Sequence, residues 1–425
     1  MTDQRSPAEI VRQSLKRRYR KERRFRAYGV LAIAIALSAL LLLFVDIIGK
    51  GYTGFIKATV TLDITLDGDV MYLEDPTDPE ELSMADFSAP IIRALQSHIP
   101  EAQSRAEQRE LSRLVGTYGP NKVRDLVKDN PELMGTTQTM TFHASDRTAV
   151  YVKHAGDADY SVKLSEQQIE WVERLREKGV IETSFNDKLF TTGDSREPTY
   201  AGILGAIVGS LLTLIVTLVI AFPVGVAAAV YLEEFAPKNR WTDFIEVNIN
   251  NLAAVPSIIF GLLGLAVFIG LFGMPRSVPL VGGLVLALMT LPTIIISSRA
   301  AIKSVPPSIR EAAEGIGASK MQVVLHHVVP LAMPGMMTGS IIGMAQALGE
   351  TAPLLLIGMV AFIVDVPEGF LDSATVLPVQ IYLWASSAEQ GFIELASAGI
   401  MVLLTFLFSM NALAIWLRKR LERRW

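Results

Sequence analysis

Long uncharged apolar runs recur along the chain, separated by short polar stretches. The first, Ala27–Val45, holds 19 residues without a charge, enough to cross a hydrocarbon core of about 30 Å as a helix, which satisfies its own backbone. We assign the first transmembrane helix to residues 27–48. The other runs are 198–232, 247–275, 277–298, 395–417, and 335–363, which is interrupted only by Glu350. The pattern predicts six spans.

Residues 50–198 have a different pattern, typical of an α+β domain. "FIKATVTLDIT" alternates apolar and polar positions at the period of a strand, and "VIETSFNDKLFTT" resumes strand character. "TMTFHASDRTAVYVKH" is interpreted as a β-hairpin with Asp146-Arg147 near its turn. Helices are predicted around Ala89–Leu95 and Gln103–Leu114, and for a segment with a Ser165–Gln168 capping box that stops at Gly179.

Charge orients these segments. Residues 51–200 hold 16 Lys/Arg and 26 Asp/Glu, a net of −10, so the rest of the chain carries −4 − (−10) = +6. Residues 1–26 carry ten Lys/Arg against three acids. By the positive-inside rule we expect both termini in the cytoplasm and residues 50–198 on the opposite, periplasmic side. A basic stripe on a folded soluble domain is missing from the sequence, which argues against nucleic-acid binding.

Motifs for catalysis are not found. The chain has no cysteine, which excludes a disulfide framework and a thiol nucleophile. No G-x-x-x-x-G-K-[ST], G-x-S-x-G or H-E-x-x-H motif occurs. His326 and His327 would point about 100° apart on a helix, which is poor for joint metal binding. We therefore predict that the chain is not an enzyme and binds neither a cofactor nor a metal.

A polar elbow, residues 301–334, separates the fourth and fifth runs. Prolines 306 and 307 and a Ser308–Glu311 capping box predict a helix start, and Gly315 and Gly317 a turn. A Ser319–Gln322 box opens a second helix with a predicted apolar face, which we expect Pro330 to end. That face consists of Met321, Val324, Leu325 and Val328. Two readings stay open: an elbow that lies on the membrane surface, or one that docks another protein.

Polar and kink-forming residues inside the spans are candidates for a translocation path. Glu350 lies roughly 22 Å along the fifth helix from Gly335, at a depth where an acid is costly. Its alternative role is to stabilise helix packing. Pro256, Pro292 and Pro353 are predicted to kink their helices. The path candidates are Glu350, Thr351, Gln346, Ser257 and Pro256. A small-residue face, Gly335, Gly339, Gly343 and Ala347, predicts close helix packing.

The elbow resembles the EAA loop of binding-protein-dependent ABC importer permeases, in which EAA, three residues, Gly, nine residues, an aliphatic residue, any residue and Leu-Pro follow one another. The matching residues are Glu311, Ala312, Ala313, Gly317 and Pro330. His327 and Val329 depart from the usual aliphatic and Leu. Over roughly 200–420 the chain resembles the A-type (PstA-type) permeases of phosphate importers, above all in "ALGETAPLLL". The resemblance implies an all-α type I ABC importer permease fold of six transmembrane helices. The α+β insertion follows the first of these helices, and the permease domain proper occupies 199–420.

The resemblance also implies partners. They are a second permease subunit (PstC-like), two copies of a cytoplasmic ATPase (PstB-like) that binds ATP and Mg²⁺ and docks on the elbow, a periplasmic phosphate-binding protein (PstS-like), and the lipid of the bacterial inner membrane. Many A-type permeases carry arginine near Ile296 and Gln346, and this chain does not. Transport of another oxyanion, or a sensory membrane protein with an extracytoplasmic ligand domain, remain alternatives to phosphate import.

Overall fold

The computed structural model describes residues 7–154, 164–360 and 362–421. Two compact units divide the chain at Lys50. The first is essentially one long helix, α1 (Pro7–Gly51), which contains the predicted first span. Residues 1–6 of the basic N-terminal segment and 422–425 of the basic C-terminal one lie outside the described residues.

The second unit begins with the α+β insertion. Among the described residues its sheet has three antiparallel strands in the order β2-β1-β3. The strands are β1 (Ile56–Thr65), β2 (Thr137–His143) and β3 (Ile181–Phe185). The helices are α2 (Gly68–Met71), α3 (Pro79–Met84), α4 (Ala89–His98), α5 (Arg105–Ser112), α6 (Gly119–Asp129), α7 (Asp146–Lys153), α8 (Glu166–Glu177) and α9 (Lys188–Thr191).

Alternation in β1 builds the core of the insertion. Its apolar side chains point to one face, where Val60 and Ile64 are fully buried with Trp171 of α8. The capping box between Ser165 and Gln168 is present at the start of α8, and Gly179 adopts a positive φ of 69° after its end. The predicted strand, both predicted early helices and α8 are therefore confirmed.

The predicted hairpin around Asp146 is wrong in its second half. The segment after β2 forms α7, because the Ser145 hydroxyl caps the helix by accepting a hydrogen bond from the backbone N–H of Thr148. β2 pairs with β1 instead, with Phe142 opposite Val60. Alternation in the sequence could not separate these outcomes, because Thr148, Val150 and Val152 of α7 are buried, and a spacing of two is also that of one face of a strand.

The membrane part is all helical. Its elements are α10 (Leu204–Val230), α11 (Arg240–Ala253), α12 (Ser257–Leu263), α13 (Pro279–Lys303), α14 (Pro307–Gly315), α15 (Lys320–Val323), α16 (Val329–Gly349), α17 (Ala352–Leu356), α18 (Leu377–Ala385) and α19 (Gln390–Leu421). Three π-helical segments, Tyr231–Phe235, Gly264–Leu271 and Val324–Val328, extend α10, α12 and α15. In the described residues five helices are long and apolar enough to span a membrane, and a bent pair makes a sixth candidate.

The third predicted span is not a straight helix. α11 and the helix Ser257–Leu271 meet at 104°. Pro256 occupies the N-cap of α12 in an extended conformation, so the helix restarts there. The expected break at Pro256 is confirmed. By contrast, α13 runs through Pro292 as one continuous helix.

The fifth span also differs from its predicted bounds of 335–363. It runs over Lys320–Gly349, and Glu350 follows in an extended conformation. Pro353 explains the end, because its ring excludes a helical carbonyl four residues earlier, at Gly349. Pro353 thus stands in the first turn of α17 rather than at a kink inside a span. Glu350 lies after the helix and not in its middle.

Candidate functional site

The elbow between α13 and α16 begins with two prolines. Pro306 is the N-cap of α14 and Pro307 its first residue, a position where a missing N–H costs nothing. The prediction of a Ser308–Glu311 capping box is therefore wrong, because the prolines start the helix before Ser308. Glu311 and Ala312 are exposed, whereas Ala313 is buried.

A glycine turn ends α14. Gly317 has a φ of 89°, which favours glycine strongly. The backbone N–H of Gly317 donates to Glu314 and that of Ala318 to Ala313, closing the helix end. Ile316 is left 85% exposed beside the turn. The predicted helix, glycine turn and helix are confirmed, including the reciprocal capping box of Ser319 and Gln322.

The second elbow helix does not end at Pro330. α15 passes through the π-helical segment Val324–Val328 directly into α16, with Pro330 in its first turn. The wider π turn changes which carbonyls accept hydrogen bonds, so the chain continues although Pro330 has no N–H. It also divides the predicted apolar face: Val324 and Val328 are buried, and Met321 and Leu325 are half exposed.

An apolar groove of about 540 Å³ lies between the two elbow helices. Ala312, Ala313 and Ile316 form one wall, and His327, Pro330 and Leu331 lie on the other. Five of these six are aliphatic or proline, so the groove is suited to an apolar side chain or helix from another protein. Of the five predicted elbow residues, Ala312, Ala313 and Pro330 line the groove, Gly317 shapes the turn, and Glu311 is exposed beside them.

Arg310, the residue before Glu311, fastens the elbow to two spans. Its guanidinium donates to Glu234 at the end of α10 at 2.7 and 3.2 Å. It also donates to the carbonyls of Ile302 and Val305 at the end of α13, at 3.1 and 2.8 Å. Sequence reasoning missed this residue. The paired acids of "YLEEF" directly after an apolar run were the available signal.

A second ion-pair cluster is formed around Glu233, the residue that precedes Glu234. Arg299 donates to Glu233 and to Glu246 of α11, both at 2.5 Å, and Lys303 lies 3.4 Å from Glu233. The side chains of Arg299 and Glu233 are almost buried. Because a buried charge is stable only when paired, this cluster ties the ends of α10 and α13 to the middle of α11.

Four of the five path candidates lie at two helix breaks, before α12 and before α17. A Cβ on Gly261 of α12 would lie 2.6 Å from Pro353 of α17, and one on Gly264 would lie 3.2 Å from Ile357. The two helices therefore run parallel in close contact, and both start at the same end of the pair. Pro256 and Ser257 begin one helix, and Glu350 and Thr351 precede the other.

The two positions at which many A-type permeases carry arginine lie on the faces of long helices. Gln346 of α16 and Ile296 of α13 are both exposed. The small-residue face of α16 packs on α13, since a Cβ on Gly335 would lie 2.6 Å from the Cβ of Ala301. Close packing by this face is confirmed, within the chain.

The insertion is joined to the last span by a buried cluster. Lys153 and His154 contact Glu394 of α19 at 3.1 and 2.9 Å. Glu394 is 2% exposed. The indole N–H of Trp384 in α18 donates to Asp194 at 3.0 Å, a second link. The insertion is thus fixed to the C-terminal end of α18 and the N-terminal end of α19.

Comparison with known proteins agrees with this architecture. Residues 221–425 match the family described as "Binding-protein-dependent transport system inner membrane component", and residues 12–161 match a "Domain of unknown function (DUF3333)". The probable ABC transporter permease protein YqgI of Bacillus subtilis is 35% identical over 42% of this chain and 59% of its own length.

Two further relatives are matched over more of their length. The probable ABC transporter permease protein YqgH of Bacillus subtilis is 34% identical over 54% of this chain and 76% of its own length. The phosphate transport system permease protein PstA 1 of Mycobacterium tuberculosis is 32% identical over 52% of this chain and 72% of its own length.

The spans and the elbow define a multi-pass inner-membrane permease. The chain belongs to the ABC transporter permease family, as a binding-protein-dependent transport system inner membrane component of the PstA type. The domain of unknown function that matches residues 12–161 covers most of α1 and the larger part of the α+β insertion. The family assignment favours a transporter over the sensory protein considered from the sequence.

Proposed function

We propose that this chain is a permease subunit of an ATP-driven phosphate importer and forms half of its translocation path. The elbow carries the proposal: an open apolar groove, walled by the helix that bears Glu311–Ala313, is fastened by Arg310 to the ends of two spans. An ATPase that binds the groove and closes on ATP would move those spans together. The relatedness to phosphate transport permeases supports phosphate as the substrate.

The proposed assembly contains a PstC-like second permease, two copies of a PstB-like ATPase that bind ATP and Mg²⁺, and a PstS-like phosphate-binding protein. The elbow and both termini would lie in the cytoplasm and the insertion in the periplasm. Because the chain has no cysteine, single-cysteine variants report sidedness. A membrane-impermeant maleimide should label Tyr72→Cys in intact spheroplasts and Ile316→Cys only after permeabilisation. The reverse pattern would overturn the orientation.

We place the path beside the paired starts of α12 and α17. Backbone N–H groups at the start of the helix Ser257–Leu271 would favour an anion, while Glu350 itself would repel one and serve next to the path. Ser257→Cys should react with a thiol reagent and lose transport, and phosphate should slow the reaction. Leu271→Cys, an exposed control at the other end of the same helix, should keep transport after labelling. Equal protection of both positions would contradict this path.

Uptake of labelled phosphate by cells that lack this chain tests the function directly. High-affinity uptake should be lost and restored by the intact gene, with unlabelled phosphate competing better than sulfate or molybdate. In cells without a redundant importer, unchanged uptake would reject phosphate as the substrate. Restored uptake of another oxyanion alone would assign the permease to that anion instead.

A further inference from the structure

The insertion carries a basic pocket that the transport proposal does not use. A concave space of about 540 Å³ opens beside β1 and β2, near the start of α9. Lys57, Lys122 and Lys188 line it together with Tyr118 and Tyr200. These lysines come from three distant parts of the sequence, and the fold brings them to one place.

The charge in the pocket is opposite to that of its domain. Residues 51–200 have a net charge of −10, yet the pocket has three ammonium groups and only Asp125 as an acid on its wall. Asp125 pairs with Arg124 at 3.0 Å. In the described ranges, neither Lys122 nor Lys188 forms an ion pair with an acidic side chain.

Two of the lysines are held in place by the protein. The Lys57 ammonium donates to Asp187, and its side chain is mostly buried. The Lys122 ammonium donates to the carbonyl of Thr141 at 2.6 Å and lies 5.9 Å from the centre of the Phe142 ring. An ammonium has three N–H donors, so each of these groups retains donors for a ligand after its protein contact.

The lysines influence one another and their neighbours. Burial, followed by the charges of Lys188 and Lys57, lowers the pKa of Lys122. Burial, followed by the charges of all three lysines, lowers the pKa of His143 on the same wall to about 4. The local field thus disfavours further positive charge, and an anion bound between the lysines would relieve that repulsion.

We propose that this pocket binds a phosphate-bearing anion, either free inorganic phosphate or the headgroup of an anionic phospholipid. Ammonium groups bind phosphate oxygens as charge-assisted donors, and the hydroxyl of Tyr118 and the amide of Asn121 add neutral donors on the rim. Tyr200 precedes α10 by only four residues, so the pocket lies at the edge of the domain next to a span. Neither source depends on the transport proposal.

Binding to the full chain in phosphatidylcholine nanodiscs tests the proposal. One arm measures equilibrium binding of labelled inorganic phosphate at constant ionic strength. The other measures how much phosphatidylglycerol the chain retains from mixed nanodiscs, by mass spectrometry. The test variant is Lys122→Gln with Lys188→Gln. The matched control, Lys128→Gln with Arg105→Gln, removes the same charge at exposed positions outside the pocket. Lys122→Arg with Lys188→Arg keeps the charge.

Loss of two charge-assisted contacts should weaken binding by about tenfold or more in the test variant. The control and the arginine variant should bind like the wild type, and thermal unfolding should show that all three are folded. A loss confined to phosphate identifies the free anion, and a loss confined to phosphatidylglycerol identifies the headgroup. If neither ligand distinguishes the test variant from the control, the pocket is not an anion site. Path variants such as Ser257→Cys should leave this binding unchanged, which separates it from transport.

Discussion

Arg310 and Glu234 are joined by two hydrogen bonds across 76 residues of sequence, and this pair fixes the elbow to the end of α10. Both side chains are largely buried, at 24% and 10% exposure. The same guanidinium reaches two carbonyls at the end of α13. The elbow is therefore a rigid extension of two spans rather than a loose connection.

Arg310→Ala should break the mechanical connection between the elbow and the two spans, so that substrate no longer stimulates the ATPase and ATP no longer drives uptake. The change leaves Glu234 buried without its partner, at a cost of about 3–5 kcal/mol, and releases α14 from both spans. In the reconstituted importer, we expect substrate-stimulated ATPase activity and uptake to fall at least about tenfold while assembly is kept. Arg240→Ala, an exposed arginine at the start of α11, should change neither. Normal stimulation in Arg310→Ala would show that the pair does not transmit motion.

Packing of α16 on α13 should tolerate no side chain at Gly339. A Cβ there would collide with the side chain of Ser297, so Gly339→Ala should lower the free energy of unfolding by about 1–3 kcal/mol. The control is Gly349→Ala, where a Cβ meets nothing within 4 Å. Thermal unfolding in nanodiscs should show a lower Tm for the first variant only. Equal Tm values would mean that the two helices are not in close contact.

The buried acid Glu394 should be essential to the attachment of the insertion. Glu394→Gln removes the charge opposite Lys153, whose side chain is only 10% exposed, and an uncompensated buried charge costs about 3–5 kcal/mol. We expect a lower Tm and faster proteolysis of the insertion in the full chain. Glu389→Gln changes an exposed acid five residues away and should do neither. A stable Glu394→Gln variant would contradict the role of this contact.

Asp146 and His143, two titratable residues beside that attachment, should change the stability of the fold with pH in opposite directions. Burial and the charges of Glu389 and Glu394 raise the pKa of Asp146 to about 6. The folded state therefore binds this proton more readily than the unfolded state, and stability falls as pH rises from about 4 to 6. The pKa of His143 is lowered to about 4. The unfolded state binds that proton more readily, so stability rises with pH from about 4 to 6.5.

The two effects oppose each other over most of this range, and single variants should separate them. Relative to the wild type, Tm of Asp146→Asn should increase more steeply with pH between 4.5 and 6. Tm of His143→Gln should increase less steeply, or decrease, over the same interval. Thermal unfolding of the full chain at several pH values provides the measurement. Parallel curves for all three proteins would exclude both titrations.

Features governed by neighbouring residues could be predicted from the sequence. The capping boxes at Ser165 and Ser319, the glycine turn at Gly317 and the strand alternation of β1 all depend on contacts within a few residues. The spans could also be predicted, because a long apolar run is a local property of the sequence. The break at Pro256 follows from the missing N–H of proline.

The errors arose where distant contacts or competing local signals decide the structure. The segment after β2 is apolar enough for a strand, and the cap at Ser145 makes it a helix instead. The π-helical segment before Pro330 cannot be inferred from a 3.6-residue period. Arg310 with Glu234, and Lys153 with Glu394, join residues far apart in sequence. Only the folded chain shows these pairs, and they are the contacts that tie the elbow and the insertion to the spans.

Crosslinking from the elbow is the most direct test of the central claim, that this groove receives the ATPase. Ile316 is 85% exposed at the rim of the groove, and Ile316→Cys would carry the single cysteine of the chain. In the assembled, transport-competent complex, we predict that a short thiol crosslinker at this position captures the ATPase subunit. Met84→Cys on the insertion, 77% exposed, should not capture it. An active complex with no ATPase adduct at position 316 would contradict the account.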